Sequence, residues 1–162
     1  MGFFDRLFKR ENLTEGWVAD PQRRLSVDLD ELRFCGVALG GDYSPLAFLG
    51  PCAPATVRGL GLLSYPQFGL EIFVDKQKRI SSVDINLVVG KKQGRYPGQW
   101  LFQGISVEID AQCGAKQIKA MLGNPEDVEE EDYLFYQRAG GELMFNYTVE
   151  GLLDTVSLSA LS

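Results

Sequence analysis

The hydrophobic positions change period along the chain, and each change predicts a different element. Phe3, Phe4, Leu7 and Phe8 recur at helical spacing opposite Asp5, Arg6, Lys9 and Arg10. This is an amphipathic stub of about two turns, too short to hold itself as a helix in water. It needs a surface: its own domain first, otherwise a partner chain or a membrane. Residues 11–24 are polar, contain Asp20-Pro21 and read as a connector.

From Leu25 the period falls to two. Leu25, Val27 and Leu29 alternate with Ser26, Asp28 and Asp30, the pattern of a half-buried strand. Asp30-Glu31 turns the chain into a second strand over 32–39, which Gly40-Gly41-Asp42 ends. Ser44-Pro45 supplies an N-cap and a first-turn proline for a short helix that Gly50-Pro51 stops. Strands follow over 62–65, 69–75 and 80–89, the last two joined by the turn Lys76-Gln77-Lys78. Residues 90–99 are the clearest linker. Beyond it the plan restarts, with a strand over 100–109, a helix over 115–122, a stop at Gly123-Asn124-Pro125, and strands over 133–137, 142–148 and 152–158.

That restart is a repeat. Leu49-Gly50 and Leu122-Gly123 stand 73 residues apart. The same shift carries Leu70, Ile72 and Val74 onto Leu143, Phe145 and Tyr147, and Ile80, Val83 and Ile85 onto Leu153, Val156 and Leu158. Upstream, Phe34-Cys35-Gly36-Val37 answers Phe102-Gln103-Gly104-Ile105 at a shift of 68, so the second helical segment is expected to be longer. One register that keeps the inward face inward over several strands predicts two tandem strand-helix-meander units, 25–89 and 100–162, after an N-terminal stub and connector over 1–24. A half of roughly 60 residues has a marginal core alone. The expectation is one compact α+β domain, its two repeats sharing one long antiparallel sheet with short helices on one face.

The run from Ala115 to Leu122, then Gly123-Asn124-Pro125, an acidic loop and Tyr133-Leu134-Phe135-Tyr136, resembles the helix, Leu-Gly-x-Pro, loop and tyrosine-strand pattern of the small outer-membrane assembly lipoproteins of the SmpA/BamE type. A tandem pair of such units resembles the plan of the beta-lactamase inhibitory protein (BLIP-like) family, whose paired halves make one concave sheet. The resemblance covers 32–161, the first half keeping Leu49-Gly50-Pro51. It implies the fold and a binding role, and carries over no functional residue.

Composition narrows the chemistry. The 162 residues contain no histidine, which removes Ser-His and Cys-His catalysis and nearly all zinc chemistry. Sixteen basic against twenty-two acidic residues give a net charge of −6, so nucleic acid is not an expected partner. No apolar run reaches the ~18 residues of a membrane span. Asp5, Arg6, Lys9 and Arg10 break any secretory h-region, and Arg6 stands where a myristoylation site has Ser or Thr. Cys35, Cys52 and Cys113 are odd in number and widely spaced, which fits buried thiols in a reducing, cytoplasmic setting.

Candidate sites are few. The acidic run from Glu126 to Asp132 lacks the ligand spacing and glycine of an EF-hand and reads as a solvated loop. Glu71, Asp75 and Asp84 could flank a substrate as paired carboxylates, but alternation with Leu70, Ile72, Val74, Val83 and Ile85 places them on the solvent side of a sheet. No glycine-rich stretch is a phosphate loop. By the same alternation Phe73 and Met144 point outward, and aromatics and Met are enriched at recognition surfaces. The alternative is that Phe73 lies under the N-terminal arm.

The sequence therefore predicts a non-catalytic protein-binding module, inhibitor-like or immunity-like, using Glu71, Phe73, Asp75, Asp84 and Met144. No cofactor or metal is expected. The partner is a protein, with self-association also open. The competing reading is a small-ligand-binding protein or a carboxylate-dependent enzyme.

Overall fold

A computed structural model describes residues 11–88, 90, 94–129, 132–138 and 140–161, and strands dominate it. They are β1 (Ser26–Asp28), β2 (Arg33–Phe34), β3 (Val37–Ala38), β4 (Ala55–Val57), β5 (Leu60–Tyr65), β6 (Leu70–Val74), β7 (Ile80–Asn86), β8 (Gln99–Phe102), β9 (Ile105–Val107), β10 (Asp127–Glu129), β11 (Tyr133–Arg138), β12 (Gly141–Tyr147) and β13 (Leu153–Ala160). The α-helix among the described residues is α1 (Ala115–Leu122). An antiparallel sheet of eight strands runs β10-β11-β12-β13-β7-β6-β5-β4, and a second of five runs β3-β2-β1-β8-β9. One continuous core takes Val27, Phe34 and Trp100 from the smaller sheet, Ile72, Val83, Phe145 and Val156 from the larger, and Ile118 from α1. No helix among the described residues is long and apolar enough to cross a membrane.

This corrects the α+β expectation: the fold is mostly β, in two sheets. The cause lies in turns hidden inside apolar runs. The strand expected over 32–39 breaks at Cys35-Gly36, with φ of 50° and 80°, into β2 and β3. The strand expected over 100–109 folds back at Gln103-Gly104, with φ of 52° and 73°, into the hairpin β8–β9. Two successive positive-φ residues make the tight turn that joins antiparallel strands. The shift of 68 had matched these two turns to each other. The first-half helix is a 3-10 turn over Ser44–Leu49, since Pro45 opens it and Gly50-Pro51 closes it before a stable α-helix can form. The inner face of the large sheet is thus covered by a second sheet and one helix, not by a row of helices.

The two halves correspond in hydrogen-bonded register. β6·β7 pairs Leu70 with Ile85, Ile72 with Val83 and Val74 with Ile80, while β12·β13 pairs Leu143 with Leu158, Phe145 with Val156 and Tyr147 with Leu153. Each pair in one set lies 73 residues from its counterpart. Both ladders slip by one residue, leaving Ser81 and Asp154 unpaired as bulges. The bulge explains why Ile80 and Val83, three apart, face the same side. In the small sheet β1 and β8 pair in parallel, Val27 beside Trp100 at the same shift. Where the halves meet, β7·β13 pairs Asp84 with Ser157, flanked symmetrically by Ser82 with Ser159 and Asn86 with Thr155. A local pseudo-dyad therefore passes between Asp84 and Ser157.

A matching clamp ties each half's stop to the sheet. Tyr65 Oη donates to the Gly50 carbonyl at 2.8 Å, and Tyr136 Oη to the Gly123 carbonyl at 2.9 Å. Gly123, at φ 85° and ψ −167°, has the positive φ expected of a helix stop but an extended ψ, a region essentially reserved for glycine. Gly50 shares it, at φ 83° and ψ −178°.

The acidic run is only partly a loop: Asp127–Glu129 forms the edge strand β10 against β11. The amphipathic stub falls on residues 1–10, outside the described residues.

Candidate functional site

The outward face of the large sheet is built by alternation. In β6 the buried Leu70, Ile72 and Val74 leave Glu71 and Phe73 on the other side. In β12 the buried Leu143 and Phe145 leave Glu142 and Met144 there. Register then aligns rows across the strands. One row runs Ser64, Glu71, Asp84, Ser157, Met144, Phe135. The next runs Leu62, Phe73, Ser82, Ser159, Glu142, Gln137. Small hydroxyl side chains on the two central strands leave a trough between the larger residues on either side.

That trough is a groove of about 490 Å³. Val57, Leu60, Phe73 and Met144 give it apolar walls, and Asp84, Glu142 and Arg58 line it as well. Three of the five residues singled out from the sequence, Phe73, Asp84 and Met144, meet here. Glu71 adjoins them, directly opposite Asp84. Asp75 does not join them: its Oδ1 accepts the backbone N–H groups of Gln77 and Arg79, each at 2.9 Å, and organises the β6–β7 turn. Phe73 and Met144 are half-buried rather than fully exposed.

The carboxyls are perturbed. Burial pushes Asp84 above the usual carboxylate range, opposed by a hydrogen bond with the Ser157 hydroxyl. Burial, and then the neighbouring Asp84, push Glu71 upward. Together they form a locally acidic, reluctantly charged spot on the pseudo-dyad. Sequence reading missed Ser157, Glu142, Leu60 and Arg58. The 73-residue shift, carried one step further, would have paired Asp84 with Ser157.

Other features bring together less chemistry. A larger cavity of about 750 Å³ lies between 95–100 and 106–112, over the edge-packed rings of Tyr96 and Trp100, 5.2 Å apart. Its Asp110 accepts the Gln112 N–H at 2.8 Å and serves a turn. A crevice of about 300 Å³ has Arg24 on its wall and the Arg23 guanidinium 4.0 Å from the centre of the Phe48 ring. Cys35, Cys52 and Cys113 are free and half-buried, and burial pushes the Cys35 thiol up to about 11, so it is an unreactive thiol near neutral pH. Among the described residues no cluster of His, Cys, Asp and Glu could hold a metal ion.

No family model and no curated protein matches the chain. Among solved structures it is similar to the DUF4309 family protein YjgB of Bacillus subtilis, with a TM-score of 0.51 and 17% identity. The match covers 81% of this chain and 88% of that one, and it is a likeness of fold.

Proposed function

We propose that the protein is a non-catalytic protein-binding module that receives a partner on the outward face of its eight-stranded sheet. The single observation behind this reading is the groove, in which Phe73 and Met144, from different halves, present apolar surface among Asp84, Glu142 and Arg58. Apolar anchors within a charged rim are the anatomy of a recognition surface. The groove spans strands of both repeats, so a partner would engage the two together. This is the mode that a BLIP-like tandem plan implies, and blocking another protein's site is its most concrete form. The free cysteines and the acidic net charge suit a cytoplasmic setting without nucleic acid.

One observation favours the competing reading of a small-ligand site or a carboxylate-dependent enzyme: Glu71 and Asp84 stand opposite each other with raised affinity for protons. The two readings separate by substitution. Affinity capture from native cells with the wild-type chain, followed by binding of the purified partner, should weaken about tenfold or more on Phe73→Ala, a loss of about 1.4 kcal/mol or more. It should change less on Glu71→Gln. Binding that survives Phe73→Ala but is lost with Glu71→Gln would overturn the proposal and favour carboxylate chemistry.

A further inference from the structure

We propose that the crevice beside the 3-10 turn Ser44–Leu49 is a binding site for a small aromatic carboxylic acid, its carboxylate held by Arg23 and Arg24. The crevice shares no lining residue with the groove, so the inference stands apart from the functional reading above.

Backbone hydrogen bonds build the crevice. The Asp20 N–H donates to the Phe48 carbonyl at 2.8 Å, and the Arg23 N–H to the Asp20 carbonyl at 3.2 Å. The turn that carries both arginines is thereby fixed against the 3-10 turn. The Gln99 N–H donates to the Leu25 carbonyl at 2.9 Å, which ties the following residues to β8. Phe68 is stacked on Tyr65, with 6.5 Å between ring centres and 24° between planes, and Tyr65 Oη is itself clamped to the Gly50 carbonyl. The walls are held by the fold, so little ordering is left for a ligand to offset.

The lining matches the two ends of such a ligand. Phe48, Phe68, Leu25, Leu49, Pro21 and Pro97 supply apolar surface, and Leu25 and Leu49 belong to the core. An apolar lining with a few placed polar groups is the usual make-up of a small-molecule site. The charged side chains here are Arg23, Arg24 and Asp20. Asp20 Oδ1 accepts the Gln22 N–H at 3.1 Å, whereas neither guanidinium has an ion-pair or hydrogen-bond partner among the described residues. The Arg23 guanidinium lies 4.0 Å from the centre of the Phe48 ring. A guanidinium on a ring face keeps its N–H edge available to both oxygens of a carboxylate. Two cations against one carboxylate call for a single negative charge. The space of about 300 Å³ equals about ten waters. It fits a ring with a short acid arm and is too small for a nucleotide.

Amide NMR on the nitrogen-labelled full chain, titrated with 3-phenylpropionate, tests this. The expected result is saturable shifts concentrated at residues 19–25, 47–50 and 68, with a Kd of about 1 mM or tighter. The neutral isostere 3-phenylpropionamide should bind about tenfold or more weakly, and so should the acid to Arg23→Gln/Arg24→Gln. Arg23→Gln also removes the contact with the Phe48 ring. Arg24→Gln alone therefore repeats the measurement in a chain checked for the wild-type melting temperature, and it should bind the acid several-fold more weakly. Shifts that never saturate in the wild type overturn the proposal. Equal binding of acid and amide would show apolar uptake without recognition of the carboxylate, and overturns it. Wild-type affinity in either arginine variant does the same. Shifts centred on Phe73 and Met144 would place the acid in the groove and overturn it likewise. A short peptide ending in phenylalanine that binds tenfold more tightly than the free acid would assign the crevice to a chain terminus, and the small-acid site would fall.

Discussion

The two halves of the large sheet share a backbone plan and differ in what they show to solvent. Inward, the dyad-related positions are conservative: Ile72 answers Phe145, Val83 answers Val156, and Tyr65 and Tyr136 clamp their glycines alike. Outward, Glu71 answers Met144, Asp84 answers Ser157 and Phe73 answers Asn146. The core requires shape on both sides of the dyad, whereas a solvent face is constrained mainly by what it meets. The divergence is concentrated where a partner would sit.

The strongest way to break the comparison is through the core. Ile72→Ala should cost about 2–5 kcal/mol and Phe145→Ala about 3–5 kcal/mol, since both side chains are fully buried. Because β7 and β13 join the halves in one sheet, each substitution should lower a single urea transition. Two separated transitions would show that the halves fold apart.

The clamps come next. Tyr65→Phe and Tyr136→Phe each leave a glycine carbonyl without its donor and should cost about 1–3 kcal/mol, similar in the two halves. The glycines themselves should differ. Both need positive φ, but a Cβ on Gly50 would lie 2.8 Å from the Ala19 Cβ, whereas one on Gly123 meets nothing within 4 Å. Gly123→Ala should cost about 1–3 kcal/mol from strain, and Gly50→Ala more, read by the same melts.

The carboxyls sharpen the outward difference. Glu71 and Asp84 bind protons more tightly folded than unfolded. Their contribution is therefore most favourable at acid pH. It falls as pH rises from the ordinary range of about 3.9–4.3 through their raised folded values. Against wild type, Glu71→Gln and Asp84→Asn should gain stability between pH 4 and neutrality, as urea midpoints across that range would read. The smallest effect is expected from Ser157→Asp, which sets a second carboxylate opposite Asp84 and should destabilise by about 0.2–1 kcal/mol. No change there would place the two side chains apart.

Sequence periodicity exposed the inward and outward rows of the large sheet because both follow from alternation, and Leu70, Ile72 and Val74 lie in a run with no interruption. It misjudged the small sheet because Cys35 and Gln103 adopt positive φ, which a non-glycine side chain does not announce. The preceding and following apolar residues then read as one strand. The groove was half legible: Phe73, Asp84 and Met144 follow from the pattern, but Arg58 and Leu60 reach it from the β4–β5 hairpin, which carries no clear period.

The central claim is that the outward face is a surface for recognition and not a second core. Calorimetric melting of Phe73→Ala beside Ile72→Ala tests it most directly, because the two residues are neighbours on opposite faces of β6. At about 2–4 °C per kcal/mol for a chain of this size, the account predicts a fall of roughly 5–20 °C for Ile72→Ala and only a few degrees for Phe73→Ala. Equal, large falls would make Phe73 a core residue and contradict the account.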